Sequence, residues 1–170
     1  MNQVFKKEDR KEKVFEEVEM YLTSFVRVRY KDETRPWGGF FVIEEDDAEK
    51  FIETFFPTLS VEQLSISGKL SPKILLVEPG KKLSWQYHHR RAEIWKLISG
   101  TATLIRSDDD QEKDELVLQK GDLIELKQGE RHRLIGLNEW GIVAEIWQHT
   151  DAENPSDEQD IIRLQDDFGR

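Results

Sequence analysis

From residue 74 onward the chain is cut into short apolar runs at 74–77, 83–88, 94–98, 102–106, 115–118, 123–126, 132–137 and 142–147, with glycine-containing or acidic turns between them. Runs this short cannot form helices long enough to pack, and their close spacing leaves no room for the crossover helices of a parallel sheet. The pattern therefore predicts a mainly β fold, an antiparallel barrel or sandwich. At 170 residues, one domain is expected.

Upstream, the apolar residues Phe5, Val14, Phe15, Val18, Tyr21, Leu22 and Phe25 recur at near-helical spacing and predict a helix within 5–25. Residues 26–30 alternate as a strand. Thr34 to Gly39 interrupts them, and Phe40 to Ile43 resumes a strand. Asp46 and Asp47 are placed to cap a short helix over 48–56 that Pro57 ends, followed by a Ser-rich loop to Lys73. The expected organisation is an N-terminal helix with its lead-in strand (1–34), then a β-barrel (35–170) with a short helical insertion at 44–72. Asp108, Asp109 and Asp110 read as a solvated hairpin tip. Ile161, Ile162 and Leu164 predict that the acidic tail docks on the barrel.

Charge and composition exclude several functions. A formal charge of -10 argues against nucleic-acid binding, which draws on clustered Lys and Arg. With no cysteine there are no disulfides, thiolate nucleophiles or Cys-based metal sites, so any metal must sit on N and O ligands. No apolar run reaches membrane-spanning length and no signal core opens the chain, so a cytoplasmic protein is expected.

Two glycine-bracketed elements carry the chemistry: Gly80-x5-Gln86-x-His88-x4-Glu93-x6-Gly100, and Gly121-x7-Gly129-x2-His132. Residues two apart on a strand share a face, so Gln86 looks the same way as His88, Glu93 the same way as Trp95 and Leu97, and His132 the same way as Leu134. Amide, imidazole and carboxylate groups suit one divalent ion, with zinc favoured over manganese, nickel or iron. Singly each residue has a plainer reading; Glu93 beside Arg90 and Arg91 could form only an ion pair. Trp85 and Tyr87 face the other way. Their size predicts that this outer face is covered, by the N-terminal helix and the insertion or by a second subunit, and a homodimer is expected.

These elements resemble the two motifs of the cupin superfamily, with Gln86 where a first His is usual, Lys127 in place of Pro and Gly136 in place of Asn, and the resemblance implies a double-stranded β-helix, a jelly-roll barrel. Arg35-Pro36-Trp37-Gly38, Leu83 through Arg90, Ser99 through Ala102 and the closing stretch Asp160 through Arg170 are similar to the type II mannose-6-phosphate isomerase C-terminal cupin domain. The resemblance covers roughly 35–43 and 73–170, and departs from the family where Arg90 and Ile94 replace further histidines.

The resemblance implies a metal-dependent aldose–ketose isomerase, interconverting mannose 6-phosphate and fructose 6-phosphate through an enediol, with Gln86, His88, Glu93 and His132 as metal ligands. No nucleotidyltransferase domain precedes the motifs, so guanylyl transfer is not expected. Glu145 is the candidate base, a surface ion pair with a lysine being the alternative. Arg35, Arg90 and Arg91 are candidates for the sugar phosphate, with Arg133 ranked last because it points away from His132; Arg35 and Arg91 could equally serve in salt bridges. A non-catalytic sugar-phosphate or sugar-nucleotide-binding cupin is the alternative function, motivated by the missing histidines. An oxygen-using iron cupin is disfavoured by Gln86.

Overall fold

The computed structural model describes residues 1–169; Arg170, the last residue of the closing stretch, lies outside them. Two antiparallel sheets face each other as a jelly roll. The first has the order β1 (Val28–Asp32), β2 (Gly38–Ile43), β3 (Lys73–Val77), β10 (Gly141–His149), β5 (Arg91–Ser99), β8 (Leu123–Leu126). The second runs β11 (Ile162–Gln165), β4 (Trp85–Tyr87), β9 (Arg131–Gly136), β6 (Ala102–Ser107), β7 (Leu116–Leu118).

Strand parity divides the core in two. Phe40, Val42, Leu75, Val77, Trp95, Leu97, Leu104, Leu134 and Val143 point between the sheets and fill the barrel. Their alternates Phe41, Ile43, Ile74, Leu76, Ile94, Ile142, Ala144 and Ile146 point outward and pack under the helices. Those strands read as unbroken apolar runs because both faces of the sheet are covered. The cover comes from α1 (Lys11–Thr23), through Val14, Phe15, Val18 and Leu22, and from α2 (Ala48–Phe55), through Phe51, Ile52 and Phe55. Each such side chain contributes about 1.5–3 kcal/mol by leaving water.

Several local expectations need correction. The N-terminal helix begins only at Lys11: the Lys6 amide donates to Asp9 Oδ2, Arg10 is extended, and Phe5 is buried as part of an arm whose carbonyl accepts the Trp140 amide. Asp47 does not cap α2. Its carboxylate accepts instead from the Arg27 amide and Arg27 Nε, at 2.8 and 2.9 Å, tying the insertion to the lead-in strand. The Ser-rich loop holds one more helical turn, α3 (Val61–Leu64), opened by a reciprocal Ser60–Gln63 capping box.

The outer cover also lies on a different sheet from the one expected. The helix and insertion shield the six-stranded sheet, whereas Trp85 belongs to the five-stranded one. Trp85 is nevertheless buried, and its Nε1 donates to the Asp110 carbonyl of the β6–β7 connection. Tyr87 stacks against the Arg131 guanidinium at 4.2 Å. The chain therefore covers its own aromatics there, and that reason for a second subunit falls away. The tail docks as predicted but mainly by backbone: β11 pairs with β4, while Ile162 and Leu164 stay exposed.

Two turns show why the bracketing residues are glycines. Gly100 has φ +73°, and a Cβ there would lie 1.8 Å from the Trp140 carbonyl oxygen; Gly129 has φ +77° with open space around it. Gly129→Ala is expected to cost about 1–2 kcal/mol, the left-handed penalty alone. Gly100→Ala should cost clearly more, because the β5–β6 turn and the backbone leading into β10 must also separate. Equal losses in thermal denaturation would contradict this account of the turn.

Candidate metal centre

Glu93 hangs from the six-stranded sheet into the barrel, while Gln86, His88 and His132 reach in from the five-stranded one, with Gln86 paired directly to His132 across β4 and β9. Glu93 Oε1 lies 3.2 Å from His88 Nε2, and Glu93 Oε2 lies 3.3 Å from His132 Nε2. All three side chains are 2% exposed, and their donor atoms fall within 4.8 Å of one another.

The tautomers of both rings follow from their other nitrogen. His88 Nδ1 is 2.6 Å from the Asp160 carbonyl and His132 Nδ1 is 2.9 Å from the Glu130 carbonyl. A carbonyl only accepts, so in each ring Nδ1 carries a proton and Nε2 is the nitrogen that faces Glu93. This is how metal-binding histidines are oriented. His132 Nε2 and Glu93 Oε2 are buried without a hydrogen-bond partner and lie 3.3 Å apart. An N, N, O donor set with unsatisfied inward lone pairs fits a divalent cation. Gln86 Oε1 accepts from Ser84 Oγ at 2.6 Å and lines the same cavity as Glu93.

Arg91 complicates the cluster. Its Nε donates to Glu93 Oε1 at 2.7 Å and its Nη2 to His88 Nε2 at 3.1 Å; Ser156 Oγ and the Asp157 carbonyl hold Nη1, and the guanidinium stacks on Trp147 at 3.6 Å. Burial of the His88 ring pushes its pKa down to about 3, so it stays neutral. Burial works against ionisation of Glu93, but the Arg91 guanidinium against it more than offsets this and holds its carboxyl well below the usual range.

A small, partly open cavity lies beside the cluster, with Glu93 and Gln86 in its wall. Glu145 lines it, buried on β10, and accepts from Trp95 Nε1 at 2.9 Å. Burial first, and then the nearby Glu93 charge, raise its carboxyl to about 7. Arg35 lines the cavity as well, stacked on Phe40 with its Nε 2.7 Å from Asp32.

Arg90, expected as a phosphate contact, lies outside the cavity lining. Its guanidinium is taken up by Asn154, the Pro155 carbonyl and Asp157 of the tail. Arg133 points away from the cluster, as its parity required, and holds Glu112 and the Gln165 carbonyl.

Two participants were not read from the sequence. Lys73 enters the cavity, and strand parity with Leu75 and Val77 could have found it. Asp160 fixes the His88 ring through its backbone, 72 residues away, which leaves no local signal.

Comparison with known proteins agrees with this architecture. Residues 44–166 match the family described as "Mannose-6-phosphate isomerase C-terminal", and the matched stretch runs through the segment read as an insertion. The xanthan biosynthesis protein XanB of Xanthomonas campestris pv. campestris is 30% identical over 69% of this chain. The alginate biosynthesis protein AlgA of Pseudomonas aeruginosa is 31% identical over 73% of it. In each case the match spans only 24% of the relative's length. Among solved structures, hazelnut (Corylus avellana) vicilin superposes with a TM-score of 0.55 at 16% identity, covering 83% of this chain and 36% of that one. The capsular polysaccharide assembling protein CapF of Staphylococcus aureus gives 0.53 at 14% identity, covering 80% and 34%. At such identities these two show the fold alone. On its motifs, its two-sheet barrel and the family match, the chain belongs to the mannose-6-phosphate isomerase C-terminal family of cupin-type jelly rolls.

Proposed function

We propose that this protein is a metal-dependent sugar-phosphate isomerase of the mannose 6-phosphate to fructose 6-phosphate type. The observation that carries the reading is an inward-facing His88, Glu93 and His132 cluster whose Glu93 lines one cavity together with Glu145, a buried carboxyl raised to about 7. Relatives named for xanthan and alginate biosynthesis support a role in supplying sugar precursors.

His88, Glu93 and His132 would hold the cation, with Gln86 as a fourth donor once its carbonyl turns from Ser84. A divalent ion there supplies positive charge to substrate oxygens that become negative during enolisation. Glu145 does the proton work: ionised, it takes the proton from C2; protonated, it returns that proton to C1, so one carboxyl on one face of the sugar completes the cycle. Trp95 Nε1 fixes the carboxyl's orientation. The walls of Trp37, Trp95 and Trp147 keep water from the enediol.

One observation favours a second reading, a sugar-phosphate-binding protein without turnover. Arg91 already gives the cluster a permanent cation, donating to both Glu93 and His88. Metal titration separates the two. If the cluster is a metal site, zinc at about a hundredfold over its Kd stabilises the fold by about 2.7 kcal/mol, an increase in Tm of about 5–10 °C. Glu93→Ala and His132→Ala should abolish that shift together with isomerase turnover. An unchanged Tm in wild type under every divalent ion, with sugar phosphate still bound, would favour the second reading.

The pH dependence follows from Glu145. As a base it must be ionised, so kcat should rise with pH up to about 7 and level off above it. Glu145→Gln should lower kcat by about 10²–10⁴-fold. Stability runs the other way. The folded carboxyl is raised from 4.5 to about 7, so the stability it contributes is fully present below 4.5 and is lost as pH rises through about 7. Glu145→Gln should therefore be more stable than wild type at pH 8, by on the order of 3 kcal/mol, with the difference vanishing near pH 4. Loss of stability in the variant at pH 8 would remove Glu145 as a destabilised buried base.

A further inference from the structure

The phosphate of such a substrate needs cations at the cavity, and of the three arginines expected to supply them only Arg35, itself paired with Asp32, lines it outside the ligand cluster. Arg90 is held by the tail and Arg91 by the ligand cluster. We infer that Lys73 is the principal phosphate-binding residue of this cavity, and that the Glu158 carboxylate occupies the same place until the substrate's phosphate displaces it. The inference rests on the reading of the cavity as a sugar-phosphate site.

Lys73 opens β3 with the same parity as Leu75 and Val77, so its side chain is driven inward instead of into solvent. Its ammonium lies 3.5 Å from the Trp147 ring centroid and 5.2 Å from that of Phe40, with the side chain 5% exposed. Two aromatic faces stabilise a cation but do not neutralise it. Burying an ammonium this deeply is costly unless an anion sits against it. Glu145 lies directly across the sheet from Lys73, but a carboxyl raised to about 7 compensates the ammonium only when ionised. The anion in direct contact is Glu158, which forms an ion pair with Lys73.

That partner is poorly anchored compared with the lysine. Glu158 comes from the tail, its side chain 47% exposed, and it lines the cavity together with Ile161 and Arg163. A single carboxylate carries one charge. A phosphate monoester brings nearly two, with three acceptor oxygens, and a lysine ammonium is a suitable point charge for it. Arg35, over Phe40 in the same wall, adds a second cation within the cavity lining. Lys73 and Glu158 thus make an anion subsite beside Glu145, with an occupant from the protein's own tail that is removed by competition.

The test is calorimetric binding of mannose 6-phosphate, mannose and inorganic phosphate to the full chain, with turnover assayed separately. Lys73→Met keeps the stem over Trp147 and removes the charge. It should weaken mannose 6-phosphate by about 10–100-fold, with mannose unchanged, and raise KM far more than it lowers kcat. Glu158→Gln should act in the opposite direction, tightening mannose 6-phosphate and inorganic phosphate by several fold. A purely structural ion pair predicts no such gain. The inference is overturned if wild type prefers mannose 6-phosphate no more than mannose, if Lys73→Met binds it like wild type, or if Glu158→Gln binds it no more tightly. Wild type that binds mannose 6-phosphate without isomerising it would sink the enzymatic reading and leave the subsite standing. Turnover with an unchanged KM in Lys73→Met would do the reverse.

Discussion

A carboxylate buried between two sheets has to be compensated, and Glu93 is that carboxylate here. It projects from one sheet and meets imidazoles projecting from the other, so its contacts span the barrel. Ionised and unpaired it would cost several kcal/mol. Arg91, donating to Glu93 Oε1, removes much of that cost, and the contacts of Glu93 with His88 and His132 tie β5 to β4 and β9. The chemistry and the closure of the barrel therefore depend on the same group.

The tail belongs to this arrangement. The Asp160 carbonyl orients His88, while the Asp160 carboxylate accepts from the His89 and Arg90 amides and from Ser156 Oγ, and Ser156 Oγ in turn accepts from Arg91. The turn after β4 and the tail are locked to each other through one aspartate. Glu158, two residues earlier, reaches into the cavity from the same turn. Orientation of the His88 ring and the lining of the cavity thus both depend on a segment of a few residues, which makes the tail part of the site's inner structure.

Much of this was legible because the fold obeys a period of two. The strands, the shared face of Gln86 and His88, and the inward Glu93, Trp95 and Leu97 all follow from alternation and glycine placement. Parity even separated Arg133 from the cluster. What the sequence could not show were choices made by tertiary contact. Phe5 lies on a helical apolar stripe yet leaves the helix to fill the outer core, and Asp47 has the chemistry of a cap yet serves Arg27. Arg90 and Arg91 are adjacent and alike, but alternation sends one to the tail and the other into the cluster. Lys73 was hidden because the sequence reading ended the Ser-rich loop on it and began the strand one residue later, whereas β3 starts at Lys73 itself.

X-ray absorption at the zinc edge of the zinc-loaded protein tests the central claim most directly. Two imidazole nitrogens at about 2.0 Å with oxygen donors at about 2.0–2.2 Å are expected, and the imidazole scattering should fall by half in His132→Ala. A spectrum showing oxygen scatterers alone, unchanged by that substitution, would mean that Glu93 and its two histidines form an internal salt-bridge network and not a metal centre.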